Sequence, residues 1–413
     1  MRFETLEFPN PEGLRLSARL DLPADGRARS YALFAHCFTC GKDARAAFYI
    51  SRALTQAGLA VLRFDFTGLG QSEGNFADTN FTSNVDDLVE AARFMTARGM
   101  APAILIGHSL GGAAVIQAAA AIPSVQAVAV IGAPAEPAHV KQHLKGAQDR
   151  IDQEGQAEVQ LGGRAFRIKK QFLDDVDQVR METTLQNLGR ALLILHSPTD
   201  DVVGIENAAR IYRAARHPKS FVSLDGADHL LADPADARYA GQLTAVWAAR
   251  YVETLDLPAT RDDLSINRIV VRTGRQGFLS DIVANGHRLS ADEPEAVGGT
   301  NQGPTPYDLL LSALGACTGM TLRMYADRKQ WPLEEIAVQL THARIHAEDC
   351  SACESETGFI DHIEREIELH GPLTGEQRQR LKTIADRCPV HRTLQSETII
   401  ATRLKNSTEG HSA

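Results

Sequence analysis

A serine, a histidine and two neighbouring aspartates of this 413-residue chain could act as one chemical set. Gly107-His108-Ser109-Leu110-Gly111 places a serine between glycines, and Asp200, Asp201 and His229 come later. A serine hydroxyl is a poor nucleophile until a base takes its proton, and a histidine base works best when a carboxylate fixes its ring and tautomer. Ser109, His229 and one of the two aspartates would supply that. The six cysteines offer a second chemistry. Cys317 and Cys388 are 71 residues apart; such thiols are either buried core residues or a pair able to cycle through a disulfide. Cys37-x-x-Cys40 has redox spacing, but it follows a strand pattern instead of opening a helix, so it reads as two small loop residues. In His342-x3-His346-x3-Cys350-x2-Cys353 the cysteines have zinc-ligand spacing. The two histidines, four residues apart on a strand pattern, would stand about 13 Å from each other and miss a common ion unless the strand ended early. These cysteines therefore read as surface or half-buried thiols, and no metal is expected.

The elements that must hold these side chains alternate over the first 255 residues. Short apolar runs at 31–36, 60–65, 103–107, 125–131, 191–196 and 220–224 read as strands. Amphipathic stretches at 45–57, 80–98, 110–121, 205–215 and 236–255 read as helices, two of them closed by Gly58 and Gly99. Such alternation predicts a mainly parallel sheet with helices on both faces. Residues 137–187 break the rhythm with a polar stretch that reads as an insertion, a small lid. In this frame Ser109 lies on a tight strand-to-helix turn, where the flanking glycines leave room for the backbone. The aspartates follow the strand at 191–196, and His229 follows the strand at 220–224.

The strand–turn–helix context of G-x-S-x-G and the order Ser, Asp, His resemble the α/β-hydrolase family. The resemblance covers residues 1–255. His196-Ser197-Pro198-Thr199-Asp200-Asp201-Val202-Val203 is similar to the family's H-G-x-x-D-x-x-V, which puts the acid at Asp200 rather than Asp201. Two backbone donors must hold an oxyanion. One is the amide of Leu110, next to the nucleophile. His36-Cys37-Phe38-Thr39-Cys40 resembles the family's H-G-F-x-G and selects the amide of Phe38, with Cys37 and Cys40 at the glycine positions. Phe64-Asp65-Phe66-Thr67-Gly68-Leu69-Gly70-Gln71-Ser72 resembles the family's F-D-x-R-G-x-G-x-S and reads as scaffold. The implied chemistry is carboxylesterase-like hydrolysis of a small acyl substrate, with no cofactor.

Residues 256–264, with Pro258 and three acidic residues, read as a linker. Beyond it, 266–273 and 277–285 alternate as a hairpin, 307–330 reads as a long apolar helix, 336–346 and 360–370 as strands, 374–387 as a helix and 398–404 as a final strand, with a frayed tail at 406–413. Grouped strands and helices argue an α+β domain over 265–405. Gly303-Pro304-Thr305-Pro306-Tyr307-Asp308-Leu309-Leu310-Leu311, Ala313-Leu314-Gly315-Ala316-Cys317 and Cys388-Pro389-Val390-His391 closely resemble the OsmC/Ohr family. That resemblance implies thiol peroxidase chemistry on an organic hydroperoxide, with Cys317 attacking the peroxide, Cys388 resolving it as a disulfide and a dithiol as reductant. It also implies Arg275 as the cation beside the thiolate. Tyr307 stands where the family has a glutamate, ten residues before the first cysteine. The family further implies a homodimer built on the long helix. A domain serving only for dimerisation is the alternative.

Composition sets limits. Apolar residues make up 44% and charged residues 23%, ordinary values for a folded chain. Net charge is −9 and neither half is basic, so nucleic acid is not an expected partner. No uninterrupted apolar run reaches the ~18 residues of a membrane span, so no membrane partner is expected. Acidic residues near the start, in MRFETLEFPNPEG, are unlike the apolar core of a signal peptide, and a cytoplasmic location is expected.

Overall fold

The computed structural model describes residues 2–144, 146–161, 164–252, 269–275, 277–346 and 358–404. The expected linker, the tail, Cys350 and Cys353 lie outside the described residues. The chain divides into two compact units, Met1–Gly274 with Ser280–Leu289, and Arg275–Leu279 with Ser290–Ala413.

The first unit runs β1 (Arg2–Pro9), β2 (Arg15–Leu22), β3 (Ser30–Ala35), α1 (Arg45–Gln56), β4 (Leu59–Phe64), α2 (Phe81–Ala97), β5 (Ile104–His108), α3 (Leu110–Ala118) and β6 (Ala127–Ile131). It continues through α4 (Gln148–Glu154), β7 (Gln156–Leu161), β8 (Arg164–Lys169), α5 (Lys170–Gln178), α6 (Met181–Gln186), β9 (Ala191–His196), α7 (Glu206–Ala214), β10 (Lys219–Ser223) and α8 (Pro234–Ala248). Eight strands form one sheet in the order β1-β2-β4-β3-β5-β6-β9-β10. The six from β4 to β10 pair in parallel, while β1 and β2 pair antiparallel with each other and β2 antiparallel with β4.

Side chains of successive strand residues point to opposite faces, and the core divides accordingly. Leu33, Leu105, Val128, Val130, Leu192 and Ile194 join one buried cluster with α2 and α3. Ala32, Phe34, Ile104, Ile106, Ala129, Ile131, Leu193 and Leu195 join another with α1 and α8. A parallel strand buried on both faces must be apolar throughout, and those runs are what made the strands legible. The hairpin of β1 and β2 was not anticipated, because its alternation with charged residues resembles a surface loop. The insertion at 137–187 is structured: a 3₁₀ segment, α4, the antiparallel hairpin β7–β8, α5 and α6.

One buried ionic cluster ties the antiparallel edge to the parallel strands. Arg63 on β4 is 1% exposed and donates from Nε to Asp21 Oδ2 on β2 at 2.7 Å. Asp21 also accepts from Ser51 Oγ of α1 at 2.6 Å and from Arg19 Nε at 2.8 Å.

Three more strands, β11 (Ile269–Thr273), β12 (Ser280–Ala284) and β13 (His287–Ala291), form a small sheet. In the second unit α9 (Pro306–Lys329) starts at a Thr305/Asp308 capping box with Pro306 in its first turn. β14 (Glu335–His346) pairs antiparallel with β15 (Phe359–His370), followed by α10 (Gly375–Ala385) and α11 (Pro389–Leu394). Leu314, Thr318, Leu322 and Ala326, spaced by four, are the buried residues of α9. Leu322 and Ala326 pack with Leu333, Leu381, Ile384 and Ala385. By length and mean hydropathy α9 could cross a membrane, the one described helix that could. The strand expected at 398–404 is absent: the segment forms no ladder, and Ile399, Ile400 and Leu404 are 87, 86 and 97% exposed. Alternating apolar residues make a strand only where an edge accepts them, and no described edge pairs with this segment.

Removing Asp21 would leave the buried Arg63 guanidinium without its counterion, bonded only to Lys42 O. Asp21→Ala should destabilise the first unit by about 3–5 kcal/mol, read as a lower urea midpoint in near-ultraviolet circular dichroism, whereas Glu4→Ala at an exposed pair with Arg2 should shift it by less than about 1 kcal/mol.

Candidate active sites in the two units

Ser109 sits between the end of β5 and the start of α3 with φ +55°, a left-handed conformation that L residues other than glycine rarely hold. Its N–H donates to Ile131 O at 2.8 Å, extending the β5–β6 ladder around the turn. Close packing explains the two glycines. A Cβ on Gly107 would lie 2.3 Å from Gly111 O, and one on Gly111 would lie 2.4 Å from His36 O. The half-buried serine is thereby lifted onto the carboxyl end of the sheet.

His229 and Asp200 reach it from the loops after β10 and β9. The Ser109 hydroxyl donates to His229 Nε2 at 2.9 Å, and His229 Nδ1–H donates to Asp200 Oδ2 at 2.7 Å. An ionised carboxylate is acceptor-only, which assigns the proton to Nδ1 and leaves Nε2 as the base. Asp200 Oδ1 accepts from the N–H groups of Val202 and Val203 at 2.9 and 2.8 Å. Burial works to raise its pKa, but the His229, Val203 and Val202 donors outweigh that and hold the carboxyl below the usual range. His196 Nε2–H donates to Val203 O at 2.7 Å and closes the same loop. Asp201 is exposed. His108 is buried behind the site, its ring 5.4 Å from that of His229, and its Nε2–H donates to His229 O at 2.7 Å. Burial and the neighbouring His229 push its pKa down to about 4, so it is a neutral prop for the His229 backbone.

The first N–H groups of a helix have no partner within it, and Leu110 is the first residue of α3. Across from it Phe38 lines the same small cavity as Leu110 and Gly111, and its N–H makes no hydrogen bond to another described group. The loop carrying Phe38 is pinned downstream. Lys42 N–H and Nζ donate to the two oxygens of Asp65, each at 2.6 Å, and Gln71 N–H donates to Asp65 Oδ2 at 2.9 Å. The scaffold segment after β4 thus anchors the loop that carries the donor. Lys42 had no signal in its motif and was missed. The insertion contributes an aromatic wall: Phe38 packs on Phe76 and Phe172, with centroids 5.4 and 5.0 Å apart, and Phe76 packs on Phe166 at 5.1 Å. Cys37 and Cys40 are not two unlinked loop residues. They form a disulfide, their Cα atoms 5.2 Å apart, around the Phe38-Thr39 tip.

In the second unit Cys317 on α9 and Cys388 at the start of α11 are free thiols close enough to shift each other's ionisation. Burial and its contact with Cys388 hold the Cys317 thiol above its ordinary pKa. Burial also works to raise Cys388, but the Cys317 thiol and the N–H groups of His391 and Val390 bring it below. Helix-start amides favour a thiolate, so the local field favours ionising Cys388, the partner expected only to resolve. Arg275 is exposed and, among the described residues, bonds to neither cysteine. Arg365 on β15 reaches the residue beside Cys317 instead: it donates to Thr318 Oγ1 at 3.0 Å and to Asp386 at 2.7 Å. Alternation alone could not show which of its strand's charges faces α9, so Arg365 was not singled out. Tyr307 stacks on His342, centroids 4.3 Å apart, and His342 Nε2 lies 3.0 Å from Asp361. His346 packs on Phe359 at 4.2 Å. Among the described residues no group of three or more His, Cys, Asp or Glu could hold a metal.

A family model described as serine aminopeptidase, S33, matches residues 40–151, and one described as OsmC-like protein matches residues 299–403. The esterase domain of a Rhodothermus marinus protein is 53% identical over 61% of this chain and 99% of its own, with a TM-score of 0.51. Est1E from Butyrivibrio proteoclasticus, solved with ferulic acid, is 18% identical over 59% of this chain and 99% of its own, TM-score 0.52. Mouse alpha/beta hydrolase domain-containing protein 10 is 19% identical over 60% and 99%, TM-score 0.50. The latter two share the fold alone. No curated protein matches the chain. With its sheet, its helices on both faces and these two matches, the chain belongs to the α/β-hydrolase family in its first unit and to the OsmC-like family in its second, as a fusion of the two.

Proposed function

We propose that the first unit is a serine hydrolase that cleaves esters or closely related acyl bonds. The observation that carries this is the hydrogen-bonded chain Asp200–His229–Ser109, next to a small cavity lined by Phe38 and Leu110. Its likeness to an esterase domain at 53% identity supports it. Ser109 Oγ attacks the acyl carbonyl as its proton passes to His229 Nε2. Asp200 stabilises the imidazolium, and the N–H groups of Phe38 and Leu110 receive the oxyanion. His229 protonates the leaving alcohol. It then takes a proton from water, which attacks the acyl-enzyme and releases the acid and free Ser109. The aromatic wall from Phe38, Phe76 and Phe172 suits an apolar acyl group.

The proximity of Cys317 and Cys388 supports a second activity, reduction of an organic hydroperoxide. A Cys317 thiolate takes the terminal peroxide oxygen, the alcohol leaves, and a sulfenic acid remains. Cys388 attacks that sulfur, water leaves, and a disulfide forms; an external dithiol restores both thiols. Leu310, Met320 and Met324 of α9 are 37, 67 and 73% exposed. Covering them with a second copy gives the homodimer expected from the sequence, in a cytoplasmic protein.

Ser109→Ala should lower hydrolysis of a short p-nitrophenyl ester by about 10³-fold or more, and fluorophosphonate should label Ser109 alone. Retained hydrolysis would overturn the assignment. Asp200→Asn should cost on the order of 10³–10⁴-fold in kcat, while Asp201→Asn should leave it within about twofold; a reversed order would make Asp201 the acid.

Mild organic peroxide should join Cys317 to Cys388 in peptide maps, and Cys317→Ser should end peroxide turnover. Turnover should be slow in the parent chain, where Tyr307 occupies the glutamate position. Cysteines that stay reduced under peroxide would leave this unit as a dimerisation module.

A further inference from the structure

We propose that the Cys37–Cys40 disulfide is a redox-controlled clamp on the oxyanion loop, closed in the active form and opened by a dithiol reductant. The inference rests on the hydrolase reading above, and it assigns to this pair a role that the triad chemistry does not need.

The geometry is local to one turn. Cys37 and Cys40 bracket Phe38 and Thr39, and Cys40 N–H donates to Cys37 O at 3.0 Å, closing a four-residue turn. The donor expected at the oxyanion is the N–H of Phe38, on the first residue inside that ring. His36 Nδ1–H donates to Cys37 O at 2.8 Å, and Arg164 of β8 donates to Thr39 O. The Phe38 N–H shares its peptide plane with Cys37 O, so the bonds from Cys40 and His36 to that oxygen set its direction, and the first of them lasts only while the turn stays closed. The turn contains no glycine, so tight backbone geometry there is held by a covalent link between the side chains that flank it. Preorganised donors matter because they need no rearrangement as charge develops. A link across the turn removes that rearrangement.

The chemistry is thiol–disulfide exchange. Cys37 is 5% exposed, whereas Cys40 is half-buried, so an incoming thiolate reaches the sulfur of Cys40. It forms a mixed disulfide there and expels Cys37 as a thiolate, which takes up a proton. The second thiol of the reductant then attacks its partner sulfur and releases Cys40. Two electrons and two protons pass from the dithiol to the protein, and the reductant leaves as its own disulfide. An organic hydroperoxide reverses the change: it takes two electrons from the two thiols and departs as an alcohol and water while the disulfide reforms.

Opening should not abolish hydrolysis, since Lys42, Arg164 and the Phe38 side chain still hold the loop. Losing one oxyanion donor outright costs about 10²–10³-fold, and loosening one should cost about tenfold, in kcat with KM little changed. The test uses the full chain with Cys317→Ser and Cys388→Ser, so that only the clamp and the cysteines at 350 and 353 respond. Oxidised and dithiothreitol-reduced samples are alkylated, mapped by mass spectrometry and assayed with p-nitrophenyl acetate, alongside a Cys37→Ser/Cys40→Ser variant in the same background. The expected result is a disulfide at 37–40 in the oxidised sample and a reversible tenfold fall in kcat on reduction. The double variant should sit at the reduced rate and ignore dithiothreitol. An unchanged rate with Cys37 and Cys40 both alkylated overturns the clamp and leaves the hydrolase intact. A fall in rate that the double variant shares on reduction, or that comes with loss of the folded circular dichroism signal, also overturns it. Absence of hydrolysis in both redox states defeats the hydrolase reading itself, an outcome distinct from the other two.

Discussion

Holding a serine at φ +55° costs roughly 1–3 kcal/mol, and such a conformation persists only where its surroundings over-determine it. Here they do. β5 is paired on both sides, the Ser109 N–H is taken by Ile131, and α3 lies so close to β5 and to the end of β3 that neither Gly107 nor Gly111 could carry a Cβ. The elbow therefore fixes the distance between β5 and α3, and with it the place where the first amides of α3 emerge. The rest of the site is arranged around that fixed point. Because β3, β5, β9 and β10 run parallel, their carboxyl ends lie at one edge of the sheet, where crevices form. The loops carrying Phe38, Ser109, Asp200 and His229 follow those four strands, so residues nearly 200 positions apart converge there without any element having to reverse direction.

This also explains which parts could be read in the sequence. Strands buried on both faces leave continuous apolar runs, so β3, β5, β6 and β9 were visible; β10, a half-exposed edge strand, was read from its short apolar stretch, and the motifs carrying Ser109, Asp200 and His229 fall at strand ends. The β1–β2 hairpin was not, because the second face of β2 is covered through polar residues, Ser17, Arg19 and Asp21, whose charges read as solvent-facing in the sequence. The choice between Asp200 and Asp201 rested on resemblance alone. The structure supplies a physical reason: the N–H groups of Val202 and Val203 occupy one oxygen of Asp200 and leave the other for His229, while Asp201 is exposed. Cys37 and Cys40 were misjudged because spacing cannot say whether two thiols are joined; that depends on how sharply the backbone between them turns.

The second unit was legible in its elements but less so in its chemistry. Capping residues Thr305 and Thr374 mark two helices, and the spacing of four among the buried residues of α9 is plain in the sequence. Which charge serves the thiols is not, because it depends on strand register. Arg365 stands opposite Leu340 in the β14–β15 ladder, and that register brings its guanidinium to Thr318, next to Cys317. Tyr307, in place of a glutamate, makes an aromatic stack with His342 where an ionic clamp would need a carboxylate. A segment such as 398–404, apolar and unpaired, likewise shows that a strand pattern states a demand for a partner without naming it.

Both units place a hydroxyl or thiol beside the first amides of a helix. Ser109 precedes α3, and Cys388 precedes α11. The shared arrangement does not imply shared chemistry. A serine hydroxyl is far from ionising, so the amides at the start of α3 gain importance only once a carbonyl oxygen carries charge, and a separate base has to move the proton. A thiol lies within reach of ionisation, and amides aimed at its sulfur act on the resting group directly; with the Cys317 thiol they bring the pKa of Cys388 down against its burial. The same backbone feature therefore favours a transition state in one unit and a ground-state anion in the other. The difference also bears on redox poise. In the disulfide proposed between Cys317 and Cys388, the more stable Cys388 thiolate would be the better leaving group, so an incoming thiolate would be steered to the sulfur of Cys317, the more exposed of the two.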